Sequence, residues 1–205
     1  MFNRVGLAAV VFAVSFGFGA AQAVTIIDFD GLPDTTFVDS QFAGDGVLFS
    51  SAGGGVRVNA VAGADTVPNT IVGTDANGVE DASQLVEFTF FRGPFEFATD
   101  FVSVAFTRLL VQNTSLTAFD VLGNQLGQAI APCNTPFACG NSIQIVSLSV
   151  AGIHRVVLDG KSNAEFDTVT FNDLERVVPV PAALPLAISA FALLGLMGRR
   201  RRHAG

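Results

Sequence analysis

The sequence contains no tryptophan and no tyrosine, only two cysteines and two histidines, and no stretch with a capped helical period of apolar residues. Each absence narrows the reading. Without Trp or Tyr, the usual platforms for stacking on sugar rings are missing, which leaves Phe faces and hydrogen bonds from Asn, Asp and Arg. His154 is the sole histidine ahead of a C-terminal arginine block, and no Gly-x-Ser-x-Gly elbow accompanies it, so acid–base or nucleophilic catalysis has little to stand on. Beside Arg155, His154 reads as a surface or packing residue, and the chain is expected not to be an enzyme. Basic residues are also scarce in the middle of the chain. All 18 acidic residues lie between Asp28 and Glu175, opposed there only by Arg57, Arg92, Arg108, Arg155, Lys161 and Arg176. So acidic a surface disfavours nucleic acid and anionic membranes as partners and could attract cations.

The two ends carry the long apolar runs. Met1 to Ala23 has an early charge at Arg4, an apolar run from Val5 to Ala21 and the small residues of Ala21-Gln22-Ala23. This pattern predicts a signal peptide over residues 1–23, cleaved after Ala23, and an exported chain beginning at Val24. At the other end, Val180 to Gly198 is uncharged and apolar, preceded by Pro179 and Pro181 and followed by Arg199, Arg200, Arg201 and Arg202. A helix rising ~1.5 Å per residue crosses a ~30 Å hydrocarbon core in roughly 17 to 25 residues, so this run is just long enough to span. Four guanidiniums resist translocation, which places them in the cytoplasm and the preceding chain outside.

The order of these features, a Pro-x-Pro motif, an apolar helix and an arginine cluster over residues 179–205, resembles the PEP-CTERM sorting signal of Gram-negative bacteria. In that family the residue between the prolines is typically Glu, whereas Val180 stands here between Pro179 and Pro181. The resemblance implies processing near Pro179–Pro181 by an exosortase of the inner membrane. The product would be a membrane-anchored precursor, then a protein of the cell surface or extracellular matrix. A Leu-Pro-x-Thr-Gly sortase tail is not matched, because Leu184-Pro185-Leu186-Ala187-Ile188 lacks the Thr-Gly.

Between the ends, residues 24–178 have the length of one domain able to bury a core without staples. Short apolar or alternating runs separated by Gly, Asn, Asp and Pro clusters predict strands at 25–29, 47–50, 56–58, 85–91, 95–107, 117–122, 125–130, 143–150, 154–158 and 165–171. The polar stretch from Asn59 to Ser83 reads as loops with at most a short strand at Thr70–Val72. Gly123-Asn124 reads as a two-residue hairpin turn, and Gly160-Lys161-Ser162 as another hairpin turn rather than a phosphate loop, since Arg155 stands where that motif needs Gly. The expected class is all-β, a sandwich or barrel. Most of the 20 phenylalanines belong to its core on this reading. Cys133 and Cys139, in a turn-rich segment of an exported chain, are expected to form a local disulfide.

Thr25-Ile26-Ile27-Asp28-Phe29-Asp30-Gly31-Leu32-Pro33, Leu116 to Asn124, Gly152 to Leu158 and Phe166 to Phe171 look like the ectodomains common among PEP-CTERM proteins. Those are similar to jelly-roll, galactose-binding-like and carbohydrate-binding modules. The resemblance implies a jelly-roll-like sandwich with a non-catalytic, structural or adhesive role in extracellular polysaccharide. An alternative is a calcium-dependent carbohydrate-binding module. Calcium takes six to eight oxygens, and two places could supply them: Asp28 and Asp30 with Asp167, or the loop from Asp75 to Asp81. A third alternative, a secreted glycoside hydrolase, requires Asp28, Asp30 or Asp167 to converge with another carboxylate across a cleft.

Overall fold

A computed structural model of the chain describes residues 23–60, 69–107, 114–131, 143–161 and 164–177. Among these are thirteen strands and one 3₁₀ turn, Ala43–Asp45. The larger sheet contains β1 (Val24–Ile27), β2 (Phe37–Val38), β4 (Gly55–Ala60), β5 (Asn69–Thr74), β7 (Phe95–Thr107), β10 (Gln144–Ile153) and β12 (Glu165–Asn172). Its order is β2-β4-β5-β12-β7-β10, with β1 lying along β12 beyond the point where β5 pairs. The smaller sheet orders β3 (Val47–Ser51), β6 (Val86–Arg92), β11 (Arg155–Asp159), β8 (Ser115–Phe119) and β9 (Gln125–Ile130) as β3-β6-β11-β8-β9. A two-residue strand, β13 (Glu175–Arg176), adds to the start of β7. Every pairing is antiparallel, and the first and last long strands are neighbours.

Alternation decides which faces meet. Val86, Phe88 and Phe90 of β6 are buried while the residues between them are not; on β7, Val102, Val104 and Phe106 are buried at the same spacing, with Ala105 between the last two buried as well. Ring contacts run Phe42–Phe29–Phe49–Phe88–Phe90–Phe171 with centroids 4.9 to 5.9 Å apart, passing from the smaller sheet to the larger at Phe90–Phe171. Edge-on and tilted ring pairs of this kind contribute about 0.5–1.5 kcal/mol each beyond area burial. The expected phenylalanine core is what holds the sheets together.

On β12 the alternation slips. Phe166 and Val169 are both buried core residues although they differ in parity, because the register with β7 shifts between Asp167 and Val169. That bulge re-aims the strand.

Three expectations need correction. The segment read mainly as loop holds β5, six residues long, buried throughout and in the interior of the larger sheet. Its polar residues are buried because they are partnered. Asn69 Nδ2 donates to the Phe29 and Leu32 carbonyls at 3.2 and 2.7 Å, and the Thr70 hydroxyl lies 2.6 Å from Glu165 Oε2. The Gly123-Asn124 turn is longer than two residues: strand pairing closes at Phe119↔Gln125, and only Gly123 has positive φ, at 82°. Asp120 Oδ1 organises this turn by accepting the Leu122 and Asn124 amides at 2.9 and 2.8 Å. Finally, Gly160-Lys161 is not a hairpin turn, since β11 and β12 lie in different sheets and do not pair.

Candidate functional site

The larger sheet opens at one pole. Beyond Ser149↔Phe101, β10 rejoins β7 only at Ile153↔Thr99, so Val150, Ala151 and Gly152 stand opposite Asp100 alone. Gly152 adopts φ 86°, a left-handed conformation that costs a residue with a Cβ about 1–2 kcal/mol. Past the end of β12 the chain stays on the edge of β7 away from β10 and pairs again as β13 with Phe97 and Ala98 in the register of β12, with the Val177 amide donating to the Glu96 carbonyl at 3.0 Å. A cleft of about 350 Å³ results, floored by Ala98, Thr99, Ala151 and Gly152 and walled by Asp100, Asp173, Glu175 and Arg176.

Its polar groups are held in place. Asn172 Nδ2 donates to Asp100 Oδ1 at 2.8 Å; Asp173 Oδ2 accepts the Ala23 amide at 3.2 Å, a bond that cleavage after Ala23 would remove. The Arg176 guanidinium carbon lies 3.6 Å from the centroid of the Phe95 ring, which is 45 % exposed. Flattened on that ring, Arg176 is steered by a cation–π contact instead of being free to wander. Three carboxylates offer acceptors and one guanidinium offers donors around this space.

The residues picked from sequence sit elsewhere. Asp28 follows β1 and is exposed; Asp30 Oδ1 accepts the Asn69 amide at 3.1 Å and fixes a turn. Asp167 is fully buried in the β12 bulge, where its Oδ1 accepts the Thr168 amide at 2.6 Å. No three His, Cys, Asp or Glu side chains among the described residues form a group able to hold a metal ion, so these three aspartates are not assembled into one. In the loop from Asp75, Oδ1 accepts the Asn77 and Val79 amides, both at 2.9 Å. Those donors hold the Asp75 carboxyl below its ordinary value of 3.8, with the Val79 amide the largest cause. Asp120 is depressed likewise, mainly by Asn124, and Asp81 mainly by the Gln84 side chain. These acids serve turns. His154 Nδ1 lies 2.8 Å from the Phe97 carbonyl, which makes it the packing residue expected.

Ala21, Cys133, Cys139, Pro179, Val180, Pro181 and Arg199 to Arg202 lie outside the described residues, as do nearly all of the signal segment and the whole apolar run of the tail. Among the described residues, no helix is long and apolar enough to cross a membrane. Sequence reasoning missed Asp100, Asp173, Glu175 and Arg176. One signal was available, since a glycine inside a strand pattern, here Ala151-Gly152, marks a bulge or a close approach.

No family model matches the chain, and no curated protein matches it in sequence. Among solved structures it is similar to a family 6 carbohydrate-binding module studied by binding sub-site dissection. There the identity is 17 % and the TM-score 0.37, over 72 % of this chain and 92 % of the module. It is also similar, at 12 % identity and TM-score 0.27 over 70 % of this chain, to the enzymatically active domain of bacteriophage CBA120 tailspike protein 4, of which it spans 21 %. The assignment as an antiparallel sandwich rests on the strand pairing and ring contacts described above, not on either likeness.

Proposed function

We propose that the chain is an exported surface or matrix protein whose β-sandwich binds extracellular polysaccharide without cleaving it, through the cleft where β10 bulges away from β7. The observation that carries this reading is the cleft itself: about 350 Å³, floored by small residues and walled by three carboxylates and a ring-stacked arginine. Hydroxyl groups of a sugar can donate to Asp100, Asp173 and Glu175 and accept from Arg176. The acidic wall favours neutral or amino sugars over uronates, because like charges facing each other across a site repel.

The tail supports the export half of this reading. Residues 179–205 would hold the precursor in the inner membrane until an exosortase cuts near Pro179–Pro181.

Affinity electrophoresis of the processed chain, residues 24–178, through gels of neutral, amino-sugar and uronate polymers tests the binding half. Retardation by a neutral or amino-sugar polymer is expected, with Arg176→Ala weakening it about tenfold, as loss of one charge-assisted hydrogen bond would. The polymer should be recovered at its original length. Equal mobility in every gel, or retardation untouched by Arg176→Ala, would remove the cleft from consideration.

A further inference from the structure

Both ends of the domain leave from one pole. Val24 pairs with Asn172 at the end of β12, and Val177 is bonded to Glu96 at the start of β7, so the chain enters and exits beside the cleft. The turn bearing Leu122 is at the same end. It follows Phe119, whose carbonyl accepts the His154 amide, and His154 in turn reaches Phe97 next to β13. Large apolar side chains are exposed here: Leu122 at 82 %, Val24 at 55 % and Phe95 at 45 %. Two of the chain's few arginines accompany them, Arg176 over Phe95 and Arg92 with its guanidinium 5.9 Å from the Phe97 ring.

From Val177 to Val180, where the apolar run begins, there are three residue steps. At ~3.3–3.6 Å per residue these reach roughly 10 Å at most. If residues 180–198 span a bilayer, this pole cannot stand clear of the headgroups. We therefore infer that the pole formed by Leu122, Phe95, Arg92 and Arg176 rests on the bilayer surface while the tail is intact, with the two apolar side chains entering the interface and the two guanidiniums facing lipid phosphates. Apolar groups flanked by arginines hold a surface in the headgroup region, and here they must outweigh the repulsion that Asp100, Asp173 and Glu175 at the same pole meet from lipid phosphates. The opposite pole, where β4 begins and β5 ends and where Val79 is 59 % exposed, points away from the membrane.

This inference rests on the tail being a membrane span, and the test separates the two. Because the chain has no tryptophan, Leu122→Trp and Val79→Trp each give a single reporter at an exposed site. Each variant, with its signal peptide removed and its tail intact, is reconstituted into phosphatidylethanolamine–phosphatidylglycerol vesicles with and without brominated acyl chains, and floated on a density gradient. The expected result is that both variants float and that Trp at position 122 emits at shorter wavelength. Its emission should be roughly two-fold weaker in brominated lipid, as for a ring sunk ~5–10 Å into the headgroup boundary, while Trp at 79 is unaffected. Flotation with neither reporter quenched, or with both quenched alike, overturns the orientation while leaving the span intact. Failure to float overturns the span and the inference with it.

Discussion

The two poles of the sandwich are finished in opposite ways. Where β4 begins and β5 ends, backbone runs directly against backbone: a Cβ added at Gly54 would stand 2.0 Å from the Asp75 carbonyl oxygen. At the pole where β12 ends, β10 leaves β7 for three residues, and a Cβ at Gly152 would meet nothing within 4 Å. The first end is closed by contact and the second is opened by a bulge, and the cleft and the chain's entry and exit all belong to the open one. One sheet can thus be rigid at one end and receptive at the other without any change of fold.

The largest break in this contrast should come from between the poles. Phe171→Ala removes the ring that joins the sheets at Phe90, and a loss of about 3–5 kcal/mol is expected in urea unfolding, enough to disorder both ends together. Next is Gly54→Ala, which forces backbone apart at the closed pole. A loss of about 1–3 kcal/mol is expected, with polymer retention unchanged once the protein is folded. Gly152→Ala sharpens the comparison, because its only cost is the left-handed φ, about 1–2 kcal/mol; it should alter the cleft floor and so polymer retention more than stability. A Gly54→Ala no more costly than Gly152→Ala would mean the closed pole is looser than its geometry shows.

The smallest effect is acid sensitivity. Asp75 and Asp81 near the closed pole and Asp120 near the open one have carboxyls lowered from an ordinary 3.8 by hydrogen-bond donors in their turns. A carboxylate depressed on folding contributes stability that is fully present above its unfolded value and lost as pH falls through its folded one. Melting temperature should therefore be flat from neutrality to about pH 5 and fall below about pH 4. Asp75→Asn and Asp120→Asn should each flatten that acid slope, and an unchanged slope in both would remove the turn carboxylates as its cause.

Much of the sandwich was legible because it is written in alternation. Val86, Phe88 and Phe90, or Val102, Val104 and Phe106, declare a strand and its buried face together. β5 was hidden because Asn69-Thr70 and Thr74 look like loop residues. Their burial depends on Glu165, Phe29 and Leu32, which local composition cannot report. Asp28, Asp30 and Asp167 were singled out as a possible ion site because carboxylates near paired terminal strands suggest one. The pairing is there, yet Asp30 and Asp167 are turned to a neighbouring backbone and to a bulge. The cleft residues escaped notice for a related reason: a register slip between β10 and β7 creates the space, and register is a property of two strands rather than of either sequence.

The placement of β12 governs when the domain can become itself. It is the last long strand in the described chain, yet it lies inside the larger sheet, with β1 and β5 along one side and β7 along the other. Until residues 165–172 are available, β1 has no partner and β5 is separated from β7, so the earlier strands cannot close a core around Phe90. Contacts so distant in sequence form slowly, since loop closure must precede the burial that rewards it. A chain built this way stays pliable until residues 165–172 have joined the rest.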